Sequence, residues 1–293
     1  MSGRNDPCWC GSGQKWKKCH YPQPQSQSFN NQREKYRKAY NILLKTEQEI
    51  EGIRKACKLA SDIVQEVSKH AVPGVPTEEL NRIANKLHEA AGARPASLHY
   101  GQPPFPKSIC TSVNDVICHG IPCDTLLVKG DIVNVDVASV LHGYFGDCSR
   151  MVVVGGETTK ERQLVVDTSY ECLMKSIEIL KPGVTVSEIG AVIETHATKK
   201  GCSVVHQFVA HGVGIHYHEA PQIPHYHSHS QIPLAAGMTF TIEPMINAGS
   251  PDAVIDSNDQ WTARTPDRRP SAQWEHTILI TPNGHEILTT WVR

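Results

Sequence analysis

The sequence predicts an α/β (α+β) domain of two pseudo-symmetric halves, preceded by a small N-terminal module, and three observations carry that expectation. The first is an internal repeat. Pro73-Gly-Val-Pro-Thr-Glu-Glu-Leu-Asn-Arg-Ile aligns with Pro182-Gly-Val-Thr-Val-Ser-Glu-Ile-Gly-Ala-Val, so that Pro73, Gly74, Val75, Glu79 and Gly92 recur as Pro182, Gly183, Val184, Glu188 and Gly201 at an offset of about 109. The second is a set of four acids in or beside apolar, strand-like runs. Asp136 lies in Ile132-Val-Asn-Val-Asp-Val, Asp147 just before Met151-Val-Val-Val, Glu243 in Thr239-Phe-Thr-Ile-Glu, and Glu275 before Thr277-Ile-Leu-Ile. The third is Cys8-x-Cys10-x8-Cys19-His20, four soft ligands within thirteen residues.

Taken in chain order, residues 1–22 read as a zinc-binding module. A segment this short has no core, so a tetrahedral zinc held by Cys8, Cys10, Cys19 and His20 would supply its folding energy, with Gly11-Ser-Gly turning between the ligand pairs. Residues 23–40 read as a basic, low-complexity linker, too polar to bury a core of its own. Residues 1–38 hold eight Lys or Arg against Asp6 and Glu34, a basic extension on a chain whose net charge is only −1. Such an arm suits a polyanionic partner. Residues 41–293 form the main domain. Its first helix follows from Ile50, Ile53, Cys57, Ala60, Val64 and Val67 at three- and four-residue spacing.

After each copy of the repeat comes a strand of one form: Lys129-Gly-Asp-Ile-Val-Asn-Val-Asp matches Ala236-Gly-Met-Thr-Phe-Thr-Ile-Glu, placing Asp136 and Glu243 at equivalent points. A hairpin turning around Leu141-His-Gly-Tyr would set Asp136 across from Asp147, with Val135 and Val137 on the other face. An unpaired buried carboxylate costs several kcal/mol. Four of them converging, with His211 opening the Gly-rich stretch His-Gly-Val-Gly, therefore predict a two-metal centre and a hydrolase. Oxygen-dominated ligation with one imidazole suits Mn, Co, Fe or Zn. His119 and His218, beside glycines that clear space, are placed for chemistry, whereas the His225-Tyr-His-Ser-His229 run reads as a solvated loop.

Composition is that of an ordinary globular protein, 39% hydrophobic and 20% charged. No run approaches the roughly 18–20 apolar residues of a membrane span, and Met1-Ser-Gly-Arg-Asn-Asp has no apolar signal core. A cytoplasmic location with reduced thiols is expected, no membrane partner, and a monomer.

Pro106-Lys-Ser-Ile-Cys-Thr-Ser-Val-Asn-Asp-Val-Ile-Cys-His-Gly-Ile-Pro, His211-Gly-Val-Gly-Ile-His-Tyr-His-Glu-Ala-Pro, Gly237-Met-Thr-Phe-Thr-Ile-Glu-Pro and Ser271-Ala-Gln-Trp-Glu-His-Thr together resemble the type I methionine aminopeptidases over about residues 45–293. The resemblance implies the pita-bread fold and the ligands Asp136, Asp147, His211, Glu243 and Glu275 for two divalent ions (Co, Mn, Fe or Zn). It also implies metal-activated water attack on the peptide bond after an N-terminal methionine, with Glu243 as general base. His218 would stabilise the oxyanion and His119 would hold the departing amide. Phe105, Cys110, Tyr217 and Trp261 match the family's methionine pocket, with Tyr217 where Phe is common, and small second residues would be preferred. Leu98-His-Tyr-Gly-Gln-Pro-Pro-Phe is longer than in typical members, which leaves the place of Tyr100 open, and Asn114, Val116 and Ser271 match a monovalent-cation site. The N-terminal module resembles the SEC-C zinc motif. Lys15, Trp16, Lys17 and Lys18 suit phosphate and stacking contacts, and nascent chains and the ribosome are the partners expected. Two alternatives stand beside this reading: an Xaa-Pro aminopeptidase on the same fold, and a non-catalytic ribosome-binding scaffold.

Overall fold

In the computed structural model, residues 4–8, 13–19 and 25–291 are described. A one-turn helix α1 (Trp16–Cys19) and a longer α2 (Gln25–Tyr40) precede the main domain. The first half contains α3 (Glu47–Lys69), α4 (Thr77–Ala90), β1 (Arg94–Pro95), β2 (Cys110–Val113), β3 (Val116–Cys118) and the hairpin β4 (Ile132–Leu141) to β5 (Tyr144–Val153). The second half begins with α5 (Lys160–Glu178), α6 (Val186–Lys199), β6 (Ser203–Val204), β7 (Ala210–Gly212), β8 (Glu219–Ile223) and β9 (Thr239–Ile242). It continues through β10 (Met245–Asn247), β11 (Val254–Ile255), β12 (Ala263–Arg264), β13 (Ser271–Gln273), β14 (His276–Thr281) and β15 (Gly284–Ile287).

The repeat is structural. Pro73-Gly74 joins α3 to α4 as Pro182-Gly183 joins α5 to α6, and Gly74 and Gly183 both take positive φ, 87° and 94°. Each glycine N–H donates to the same place in its half, Gly74 to Leu127 O at 2.7 Å and Gly183 to Leu234 O at 2.9 Å. A Thr–Glu capping box opens both α3 (Thr46, Glu49) and α6 (Thr185, Glu188).

Two antiparallel sheets carry the site. In one, β4 pairs with β1 and β2 along one edge and β5 along the other; the second runs β15-β14-β9-β7-β8. Two three-stranded sheets, β13-β10-β6 and β11-β12-β3, complete the domain. Alternation sorts the faces. Val133, Val135 and Val137 of β4 pack with Ala60, Val64 and Val67 of α3 and Leu80 of α4. Phe240 and Ile242 of β9 and Ile278 and Ile280 of β14 join Leu173 of α5 and Ile189 and Ile193 of α6 in the larger core. The opposite faces present Asn134 and Asp136 in one half, and Thr241 and Thr277 in the other.

Two expectations are corrected. Residues 25–40, read as part of a structureless linker, form α2. Their mean polarity concealed Phe29, Tyr36 and Tyr40, spaced by seven and four residues on one stripe, which pack with the larger core. Tyr36 OH donates to Pro233 O at 3.1 Å, and Arg33 Nη2 lies 2.9 Å from Glu49 Oε1. His225, read as part of a solvated loop, is fully buried, while His227 and His229 are exposed.

In the N-terminal module, Cys8 N–H donates to Gln14 O at 2.7 Å and Trp16 N–H to Asp6 O at 2.9 Å, so residues 6–8 and 14–16 lie antiparallel to each other. Cys10 and His20, the other two expected zinc ligands, lie outside the described residues. No helix among the described residues is long and apolar enough to cross a membrane.

Candidate active site

The β4–β5 turn is the two-residue His142-Gly143, inside the expected Leu141-His-Gly-Tyr, but with Leu141 paired to Tyr144 the register differs from the expected pairing of Asp136 with Asp147. Asp136 therefore faces Ser149 and Asp147 faces Ala138. The two aspartates are diagonal neighbours on one face, not direct partners, and remain within reach of each other. In the second half, His276 pairs with Ile242, so the next step of that register sets Glu275 opposite Glu243 just beyond the ladder. Carboxylate oxygens of Asp136, Asp147 and Glu275 lie within 4.8 Å of one another. His211 on β7 brings Nε2 to 3.8 Å from Asp147 Oδ2 and 3.6 Å from Glu243 Oε1. All five side chains line one cavity of about 720 Å³.

Close approach at this point depends on Gly212, where a Cβ would overlap the Ala220 carbonyl of the paired strand. The Nδ1 of His211 is 3.0 Å from Gly212 O. A proton on Nδ1 donates there and leaves Nε2 as a ligand lone pair.

Burial is the main electrostatic fact. It raises Asp136 from 3.8 to about 7 and Glu243 from 4.5 to about 8. It also lifts Asp147 and Glu275 well above the carboxylate range, and the neighbouring acids push the same way. Burial lowers His211 to about 4. Asp136 Oδ1 and Asp147 Oδ1 are buried and find no hydrogen-bond donor among the described residues. Acceptor-only carboxylates clustered out of water, beside a neutral imidazole, form a donor set suited to divalent cations.

Glu243 differs from the aspartates. Thr241 Oγ1 donates to its Oε1 at 2.7 Å and Gln273 Nε2 to its Oε2 at 3.0 Å. Behind it, the Glu243 N–H donates to Nε2 of the buried His225 at 3.2 Å.

Phe105, Cys110, Tyr217 and Trp261 line the cavity together with His119 and His218. Phe105 and Trp261 meet edge-to-face at 5.3 Å, and Trp261 Nε1 donates to Pro103 O at 2.9 Å. Tyr100 also reaches the cavity: its hydroxyl is 2.7 Å from His218 Nδ1 and its ring meets that of Tyr217 at 4.9 Å. His119 has a φ of 56° and sits between Phe208 and Trp261, with ring centres 5.3 and 5.8 Å away. Burial lowers His119 to about 4, and burial with His211 and His119 lowers His218 to about 3.

Asn114 and Ser271 are joined by a backbone bond of 2.9 Å. Both ends of the Asn114 side chain are engaged, donating to Asp131 and accepting from Ile132 N–H, while Ser271 Oγ is buried without a partner among the described residues. Thr241, Met245, Phe208 and Gln273 were not singled out from sequence. Only the alternation that puts Thr241 on the face of Glu243 could have pointed to one of them.

Five such donors on two sheets, sharing a cavity with an apolar wall, define a metallohydrolase-type centre. The model of metallopeptidase family M24 matches residues 51–282, and that of the SEC-C motif matches residues 4–22. A methionine aminopeptidase of Chlamydia pneumoniae is 54% identical over 98% of both chains, and one of Chlamydia muridarum is 53% identical over the same shares. The crystal structure of methionine aminopeptidase from Rickettsia prowazekii superposes with a TM-score of 0.82 at 42% identity, covering 85% of this chain and all of that one. The chain belongs to metallopeptidase family M24 and, within it, to the methionine aminopeptidases. It is a metal-dependent enzyme with the pita-bread fold, carrying an SEC-C motif at its N-terminus.

Proposed function

We propose that the chain releases N-terminal methionine from peptides and nascent proteins, with a preference for small second residues. The observation that carries this reading is Glu243, held at both oxygens beside four other donors and facing the wall of Phe105, Cys110, Tyr217 and Trp261. Sulfur and aromatic edges suit a thioether side chain, and Cys118 and Met245 add further sulfur to the lining. Asp136, Asp147, His211, Glu243 and Glu275 would hold the divalent ions, which when bound would supply Lewis acidity to lower the pKa of water and polarise the scissile carbonyl. The residues are compatible with Co, Mn, Fe or Zn.

Glu243 takes the proton of the attacking water and delivers it to the leaving amine. Thr241 and Gln273 keep its two oxygens oriented throughout. His218, neutral at working pH, accepts the Tyr100 hydroxyl proton at Nδ1 in the tautomer that frees Nε2–H for the developing oxyanion. His119, also neutral, hydrogen-bonds the amide of the second residue. A monovalent cation near Asn114, Val116 and Ser271 would join β3 to β13, and the orphaned Ser271 hydroxyl favours it.

The N-terminal module is read as a structural zinc site through Cys8, Cys10, Cys19 and His20, with Lys15, Lys17 and Lys18 docking on ribosomal RNA. Residues 41–293 form the catalytic domain of a cytoplasmic monomer. Deleting residues 1–24 should abolish ribosome co-sedimentation; unchanged co-sedimentation would remove the docking idea.

The activity is tested with metal-loaded protein on Met-Ala-Ser, Met-Leu-Ser, Leu-Ala-Ser and Ala-Pro-Ser, with Glu243→Ala as control. Methionine released from Met-Ala-Ser, and lost in the variant, is the expected result. Cleavage of Ala-Pro-Ser would move the chain to the proline-specific branch, and no cleavage with any divalent metal would favour a scaffold.

A further inference from the structure

Helix α2 ends at Asn41, whose φ of 58° lies in the left-handed region where helices terminate. Asn41 lines the same cavity as the metal-type side chains. Phe105 and Cys110 are buried at its floor, whereas Asn41 and Gln222 are exposed and so stand at its rim. Gln222 belongs to β8, the outermost strand of its sheet, and faces His211 across the ladder.

The chain between α2 and α3 is fastened to that edge. Lys45 Nζ lies 2.5 Å from Glu219 Oε1 with both side chains buried, and Lys45 N–H donates to Gly237 O at 2.7 Å. Tyr36 and Arg33 hold the helix itself to Pro233 and Glu49. The rim is therefore built before any ligand arrives, and binding there requires little ordering of the protein. Side-chain amides offer two donors and an acceptor oxygen without charge. That inventory matches the N–H and C=O groups of an extended peptide and does not select for side-chain type.

We propose that Asn41 and Gln222 form a subsite for the backbone of the substrate chain beyond its second residue, which makes α2 part of the binding site; this rests on the aminopeptidase reading above. The ligand class is an extended polypeptide, held through its peptide groups. Asparagine is also favoured at this φ for conformational reasons alone. Asn41→Gly keeps the conformation and removes the amide, so it separates the two roles.

The test compares methionine release from Met-Ala amide and from an octapeptide beginning Met-Ala, using the full metal-loaded chain, wild type, N41G and Q222A. The octapeptide-to-dipeptide ratio of kcat/KM should fall about 5-fold in each variant, through KM, as expected for one lost hydrogen bond. An unchanged ratio in both variants overturns the subsite. If wild type releases no methionine from either substrate, the aminopeptidase reading fails, and calorimetric titration of the octapeptide decides the subsite instead. Weaker binding to the variants then sustains it; equal Kd values, or no binding by wild type, overturn it.

Discussion

The two halves share a topology but treat their buried acids differently. In the first, Asp136 and Asp147 sit diagonally on one hairpin, and each has an oxygen with no donor among the described residues. In the second, Glu243 is tethered at both oxygens, and a further acid, Glu219, has a cation of its own in Lys45. One fold repeat has thus been fitted to two tasks. The first-half carboxylates suit only an external cation. The second half holds the acid that must keep its orientation while it gains and loses a proton.

The largest effect that could break this contrast is expected from chelation. Stripping the metals should abolish activity and leave four acids uncompensated. Folded-state values raised to about 7 for Asp136 and about 8 for Glu243 mean that the stripped protein binds more protons than its unfolded chain between about pH 4 and pH 8. Its stability should therefore be highest at the acidic end of that window and fall as pH rises through those values. Thermal melts of the metal-loaded protein should lack this fall, and metal binding near neutral pH should release protons. Parallel melting curves for the two forms would count against the electrostatic picture.

Next in size is the contrast between the halves themselves. Glu243→Gln should lower kcat by about 10²–10⁴, the usual contribution of a general base, and added metal should not restore it. Asp136→Asn should lose bound metal, read by elemental analysis, and excess metal should recover part of its activity. Equal recovery of both variants would erase the distinction between a holding acid and a working one.

Lys45→Met tests the other second-half acid. Removing one partner of a buried pair leaves a buried charge and costs about 3–5 kcal/mol, which should appear in the denaturant midpoint. A second change, Glu219→Gln, should return part of the loss.

How much of this was legible in the sequence depended on period and repetition. The Pro-Gly repeat revealed two related halves because each glycine needs positive φ at the same connection. Alternation along residues 132–137 put Asp136 opposite in direction to Val135 and Val137, and the acids stood out because apolar runs seldom contain any. The turn at Leu141-His-Gly-Tyr was legible but the register was not, since the pairing of Asp136 with Ser149 depends on a two-residue loop geometry that His142-Gly143 does not announce. Thr241, Gln273 and His225 were illegible as supports of Glu243. They are ordinary polar residues in sequence and acquire a role only when strands distant in the chain converge. Helix α2 was hidden for a different reason: averaging polarity over residues 23–40 cannot register three aromatics, Phe29, Tyr36 and Tyr40, that find a surface only in the folded domain.

That helix supplies the smallest expected effect. It packs on the larger core through Phe29, Tyr36 and Tyr40, and its one long-range ion pair among the described residues, Arg33 with Glu49, is partly exposed at 32% and 23%. Water screens such a pair, and holding two long side chains offsets much of the attraction, so Arg33→Ala should cost less than about 1 kcal/mol. Glu49 would keep its capping role, because its bonds to Thr46 come from the helix start and not from the arginine. If the variant instead loses stability on the scale of Lys45→Met, α2 is held by charge more than by its aromatics.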